Sequence, residues 1–191
     1  MGHSATILRG IRLAALATSL AALTVPANEL RGEEASIPAA PDFTGRDLKG
    51  KSVALSSLLK KGPVLLDFWT TWCAPCKKEM PELDRLHRTY RDKGFQVVAI
   101  SQDDNRTVGT VQSYIQSKKY QFIVLVDPDK KIGNLYNVRQ YPTSFLVAQD
   151  RTVRHFAQGY LPGDEKKLES LIRTLVGLGA EEGHIDSGGS Q

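Results

Sequence analysis

Pro63-Val64-Leu65-Leu66-Asp67-Phe68-Trp69-Thr70-Thr71-Trp72-Cys73-Ala74-Pro75-Cys76 is the stretch on which the reading of this chain turns. Its first seven residues form an apolar run broken only by Asp67. A short run of this kind behind Gly62 predicts a strand buried on both faces. From Lys77 to Lys93 apolar residues recur at helical spacing (Met80, Leu83, Leu86, Tyr90), and Lys93-Gly94 supplies a stop. Cys73 and Cys76, the only two cysteines in 191 residues, therefore stand where a buried strand gives way to a helix. A helix N-terminus carries unpaired N–H groups and about half a positive charge, so it favours an anion. A thiolate placed there is stabilised and becomes a nucleophile near neutral pH. A close dithiol in that position suits thiol–disulfide exchange.

On the N-terminal side, Pro41-Asp42-Phe43 and Lys51-Ser52-Val53-Ala54-Leu55 flank the turn-like Asp47-Leu48-Lys49-Gly50 and predict a short hairpin. Ser56 to Lys60 forms one helical turn, stopped by Gly62-Pro63. Pro81 falls inside the first long helix and is expected to kink it. Phe95 to Ser101 reads as a second strand. Asp103, Asp104 and Asn105 offer an N-cap for a second helix with Val108, Val111 and Ile115 on one face. Phe122 to Val126 is a third strand and Lys131 to Asn137 a short helix. Pro142 opens a fourth strand, Thr143 to Ala148, which a turn joins to Thr152 to Gln158. Asp164 caps a last helix with Leu168, Leu171, Ile172, Leu175 and Val176 inward. Strands alternate with helices and a hairpin plus helix close the chain. The order predicts an α/β fold, a mixed sheet with helices on both faces.

Composition bounds the partners. The net charge is +4, and Arg9 and Arg12 in the N-terminal segment account for two of those charges. No basic run is interleaved with aromatics, which argues against nucleic acid. Residues 1–27 read as a secretory signal: Arg9 and Arg12, the apolar run Leu13 to Val25, then Val25-Pro26-Ala27 as a small-residue cleavage pattern. An uncleaved anchor is the alternative. No cysteine lies near Ala27, so no lipid anchor is expected there. The chain is expected to be exported, with a mature start near Asn28, a linker over 28–40, one domain over 41–177 and a disordered tail over 178–191.

Asp67-Phe68-Trp69, Trp72-Cys73-Ala74-Pro75-Cys76-Lys77, Pro81, Val138-Arg139, Tyr141-Pro142-Thr143 and Gly159 lie in the order and spacing of thioredoxin. With the N-terminal hairpin, the strand–helix insertion between Phe95 and Val126 and Lys77-Lys78-Glu79, the chain resembles the TlpA/ResA-like branch of exported thiol–disulfide oxidoreductases over about residues 40–177. The resemblance implies a thioredoxin-like three-layer sandwich. It also implies a redox disulfide between Cys73 and Cys76, with Cys73 as attacking thiol and Cys76 as resolving thiol. Neither a cofactor nor a metal is implied.

Residues 76, 79, 83, 86 and 90 share one helix face, which puts the Glu79 carboxyl on an apolar stripe. A raised pKa and proton exchange with Cys76 follow; a solvated charge at the stripe's edge is the bland alternative. Asp67, in a doubly buried strand, needs partners or must be neutral. The resemblance sets a matching buried acid beneath the resolving cysteine, so which of Glu79 and Asp67 takes the proton stays open. Trp72 and Pro75 shape the motif. The resemblance implies that Tyr141-Pro142 is a cis bond beside the dithiol, with Tyr141 and Thr143 lining a substrate groove. A zinc site needs further ligands, and His87, His155 and His184 are scattered, so surface positions are expected for them.

The leading expectation is a monomeric exported enzyme that reduces disulfides of partner proteins, such as haem-binding C-x-x-C-H cysteines in cytochrome c maturation. Its electrons would come from a membrane thiol carrier. A peroxiredoxin-like peroxidase is the second: it needs Pro-x-x-x-Thr-x-x-Cys, and Leu66 stands where the proline belongs. A non-catalytic redox or metal-binding module is the third.

Overall fold

Val64–Trp69 (β3) is the strand on which the sheet is built, and all six of its residues are buried. The structure, a computed structural model, describes residues 39–179. The expected signal segment over 1–27, most of the linker, the tail beyond 179 and His184 lie outside the described residues. β3 is buried along its edges as well as its faces. Gln96–Ser101 (β4) pairs with it in parallel and Thr143–Val147 (β6) antiparallel. Such a strand has no solvated side, which is why it reads as a continuous apolar run.

Around β3 the sheet takes seven strands. Thr44–Asp47 (β1) and Ser52–Ala54 (β2) form the N-terminal hairpin; Ile123–Val126 (β5) and Val153–Gln158 (β7) complete the order β2-β1-β5-β4-β3-β6-β7. β4 and β5 are parallel, whereas the hairpin joins β5 antiparallel, at Arg46 against Val126. The thioredoxin-like mixed sheet is thus present, with the hairpin and the β4–β5 insertion as additions. The helices are Leu55–Leu59 (α1), Ala74–Tyr90 (α2), Gly109–Lys118 (α3), Lys131–Leu135 (α4) and Asp164–Leu175 (α5).

Strand alternation divides the core in two. Leu65 and Trp69 pack with Cys76, Met80 and Leu83 of α2, Val111 of α3 and Ile172 of α5. Val64, Leu66 and Phe68 pack on the other face with Leu55 and Leu58 of α1 and Ile132 of α4. Asp67 shares the parity of Leu65 and Trp69, so its carboxyl faces α2. A short 3-10 turn after α2 ends at Gly94, where φ is +93°. A Cβ there would collide with the Lys61 carbonyl, so only glycine allows the chain to enter β4 so close to α1.

α2 runs continuously from Ala74 to Tyr90 with Pro81 inside it and exposed. Two local expectations differ from the structure. The second helix begins only at Gly109. Asp104 caps the lead-in turn instead, its carboxylate accepting from the Arg106 and Thr107 N–H groups. His87 is not on the surface: it is buried between α2 and β4, and its Nδ1 accepts the Val97 N–H at 3.3 Å.

Burial lowers the His87 pKa below 6.5, assisted by Arg91 and Arg88 and opposed by Asp84. Below about pH 6.5 the unfolded chain takes up a proton that the folded chain refuses, so this residue's contribution is intact above 6.5 and is lost as pH falls toward the lower folded value. Denaturant titrations at about pH 7.5 and 5.5 should show wild type losing stability relative to His87→Gln, by up to about 1 kcal/mol. An equal pH slope in the two proteins would contradict the assignment.

Candidate active site

α2 begins at the dithiol. Cys73 is its N-cap, in extended conformation, and its Sγ accepts the Cys76 N–H at 3.2 Å. One of the helix's orphan donors therefore points at the sulfur itself, and the helix charge reinforces it. Pro75 occupies the first turn, where a missing N–H costs nothing. The two sulfurs are joined as a disulfide across a Cα–Cα separation of 5.4 Å. Cys73 keeps 5% exposure and Cys76 none, so a partner can reach only the first.

The approach to the motif is pinned from outside. Asp103 is fully buried at the end of β4, and its carboxylate accepts from the Thr71 N–H (2.9 Å), the Thr71 hydroxyl (2.6 Å) and the Ser101 hydroxyl (2.8 Å). Sequence reading took Asp103 for part of a helix cap. Its position just past an apolar strand, level with the motif on the neighbouring strand, was the available signal. Thr110 at the start of α3 adds a hydrogen bond to Thr71 at 3.2 Å.

Beside Cys73 lies an open groove of about 410 Å³ lined by Trp72, Cys73, Ala74, Pro75, Arg139, Gln140 and Tyr141. Trp72 is 65% exposed and meets Tyr141 edge to face, with ring centroids 5.8 Å apart. The Tyr141-Pro142 bond is cis. Pro142 is buried, and its carbonyl accepts the Gly159 N–H at 2.8 Å. Thr143 corrects an expectation. Its side chain is buried and donates to the Gln140 carbonyl at 2.8 Å, so it braces the loop and does not line the groove. Arg139 and Gln140 take that place.

Behind the dithiol sit two carboxyls. Glu79 is buried on α2, as the helix periodicity predicts, and its Oε2 has no hydrogen-bond partner among the described residues. Neither oxygen of the buried Asp67 has one either. Unpaired burial favours the neutral acids. It lifts Asp67 to about 7. Glu79 is pushed up to about 9 by burial first, then by the Asp67 and Asp164 charges. Two carboxyls in one apolar site titrate as a pair: the first to ionise holds the other protonated, and a pair in that state can accept a proton or donate one. His155, expected on the surface, is half-buried on β7 and lines a small cavity next to Glu79.

Raised carboxyl pKa values carry a definite sign. Below about pH 4 both states are protonated and the acids cost nothing. As pH rises toward the folded values, the unfolded chain ionises first and stability falls. Asp67→Asn and Glu79→Gln should each stabilise the oxidised protein by about 1–3 kcal/mol at about pH 8. The gain should vanish near pH 4, as read by denaturant midpoints at both pH values.

Comparisons with known proteins fit this geometry. The model of the AhpC/TSA family matches residues 38–156. The thiol-disulfide oxidoreductase ResA of Bacillus cereus (strain ZK / E33L) is 40% identical over 114 residues, covering 60% of this chain. The alignment spans 64% of that relative's length, a little under two thirds. ResA of Bacillus subtilis (strain 168) is 36% identical over 139 residues, 73% of each chain. Among solved structures, a thiol:disulfide interchange protein from Bacteroides sp. superposes with a TM-score of 0.61 at 30% identity, over 79% of this chain and 95% of that one. The thioredoxin domain of a thiol-disulfide oxidoreductase from Bacteroides vulgatus gives 0.60 at 29% identity, over 72% and 98%.

Proposed function

The chain belongs to the AhpC/TSA family of thioredoxin-like proteins, similar there to ResA thiol-disulfide oxidoreductases, and from that premise we propose that it is an exported thiol–disulfide oxidoreductase that reduces disulfides of partner proteins. The observation that carries the reading is the Cys76 N–H aimed at Cys73 Sγ from the start of α2, with the other sulfur sealed behind it. In the reduced protein the same donor and the helix charge favour a thiolate at Cys73. That thiolate attacks a partner disulfide lying in the Trp72–Tyr141 groove and forms a mixed disulfide. Cys76 passes its proton to the Asp67–Glu79 pair, attacks Cys73 and releases the reduced partner.

Reduction is favoured over oxidation because Cys76 is buried among apolar side chains, which disfavours charge at the resolving position. Partners of the type expected are proteins bearing exposed cysteine pairs, including the haem-binding cysteines of c-type cytochromes, with a membrane thiol carrier returning the electrons. The N-terminal segment would direct export, cleaved near Asn28 or kept as an anchor; no helix among the described residues is long and apolar enough to cross a membrane. The enzyme would act as a monomer. A peroxidase in this family would need proline at position 66, and the residue there is Leu66, fully buried in the core.

Cys76→Ser, expressed in an exporting host, should hold its partners as mixed disulfides that mass spectrometry can name, while Cys73→Ser should lose at least about 10³-fold of disulfide reduction. The dithiol should equilibrate near thioredoxin, about −270 mV; a value near −120 mV would make the protein an oxidant instead. Steady peroxide consumption would favour the peroxidase.

A further inference from the structure

Next to the buried end of Glu79 lies a cavity of about 20 Å³, enclosed by α2, β6, β7, the Gly159-Tyr160 turn and α5. A water needs about 10–15 Å³ of such space and two or more polar partners. Two are at hand: the Glu79 carboxyl, whose Oε2 has no partner among the described residues, and Ser144 on β6. Ser144 stands opposite Asp67 in the β3–β6 ladder and opposite Ala157 in the β6–β7 ladder. Leu146 pairs with His155, two residues from Ala157 on the same face of edge strand β7. Asp67, Ser144 and, two residues along β7 from Ala157, His155 thus lie on one face of the sheet, and Ser144 and His155 both line the cavity together with Leu83 and Leu168.

We propose that this cavity holds one water and that the water and His155 form the route by which the proton taken from Cys76 leaves the protein. The inference rests on the oxidoreductase reading and extends it to the proton. In the resolving step the Cys76 S–H bond breaks and the carboxyl pair takes the proton. The Cys76–Cys73 S–S bond forms, the bond from Cys73 to the partner sulfur breaks, and its electron pair leaves on the partner as thiolate. The pair must then shed its proton before it can serve again. The titratable groups that α2 presents to the cavity are both carboxyls, Glu79 and the half-exposed Glu82. α5 presents Asp164 and Glu165, and the hydroxyl of Tyr160, which also lines the cavity, donates to Glu165 at 3.1 Å. His155 is the one base among them that is neutral near pH 7. Burial and then Lys167 lower its pKa, and Asp164 opposes them.

The test separates proton release from sulfur chemistry. Reduced protein is mixed at about pH 8 with dithiobis-nitrobenzoate, whose thiolate product stays ionised, so each disulfide formed must release protons to a pH-indicator dye. In wild type the dye and the second thiolate should rise together. In His155→Gln the dye should lag the second thiolate by about tenfold or more, and added imidazole should remove the lag. Ser144→Val, which leaves His155 in place, should show the same lag. The rate of Cys73 alkylation should be unchanged in both, which a merely misfolded variant would not achieve. Coincident thiolate and proton signals in both variants would overturn the route. A wild type that releases protons in step but leaves insulin disulfides intact would overturn the oxidoreductase reading and leave the route standing.

Discussion

A single hydrogen bond, from the Cys76 N–H to Cys73 Sγ, is what the rest of the molecule is arranged to hold. It exists because a helix starts at Cys73, and the helix starts there because β3 ends one short loop earlier. β3 in turn is fixed on both edges and both faces. Free peptide offers cysteine no such donor. The fold therefore converts hydrophobic burial, spread over dozens of side chains, into a directed charge interaction at one sulfur.

That burial has a cost at the second layer of the site. Asp67 occupies a position where a valine or leucine would complete the core, and Glu79 interrupts an otherwise apolar helix face. Among the described residues neither carboxyl is compensated by an ion pair or a full set of hydrogen bonds. A sequence selected for stability alone would not keep them. Carboxyls whose pKa burial raises, set on the core side that also holds Cys76, are the kind of group that acid–base chemistry uses.

Much of this was legible in the sequence. The apolar run at 64–69 and the helical period after it place the dithiol, and i, i+3 spacing puts Glu79 beside Cys76 on one stripe. What escaped were residues whose role depends on contacts remote in sequence. Asp103 is tied to Thr71 across two neighbouring strands, and no local pattern distinguishes that from a helix cap. His87 sits on the flank of an amphipathic helix, where only the arrival of Val97 from β4 decides that it is buried. Thr143 turns inward because the loop before it bends back to offer the Gln140 carbonyl. Pattern reading gives faces and periods; it does not give which partner crosses which face.

The clamp on Thr71 by Asp103 and Thr110 has a wider bearing. It means the loop that delivers the first sulfur takes its shape from the framework and not from the two residues between the cysteines. Ala74 and Pro75 are both exposed and touch little of the interior. The surroundings of the dithiol and the integrity of the scaffold are thereby separable, and a lineage can exchange that dipeptide without rebuilding the house around it.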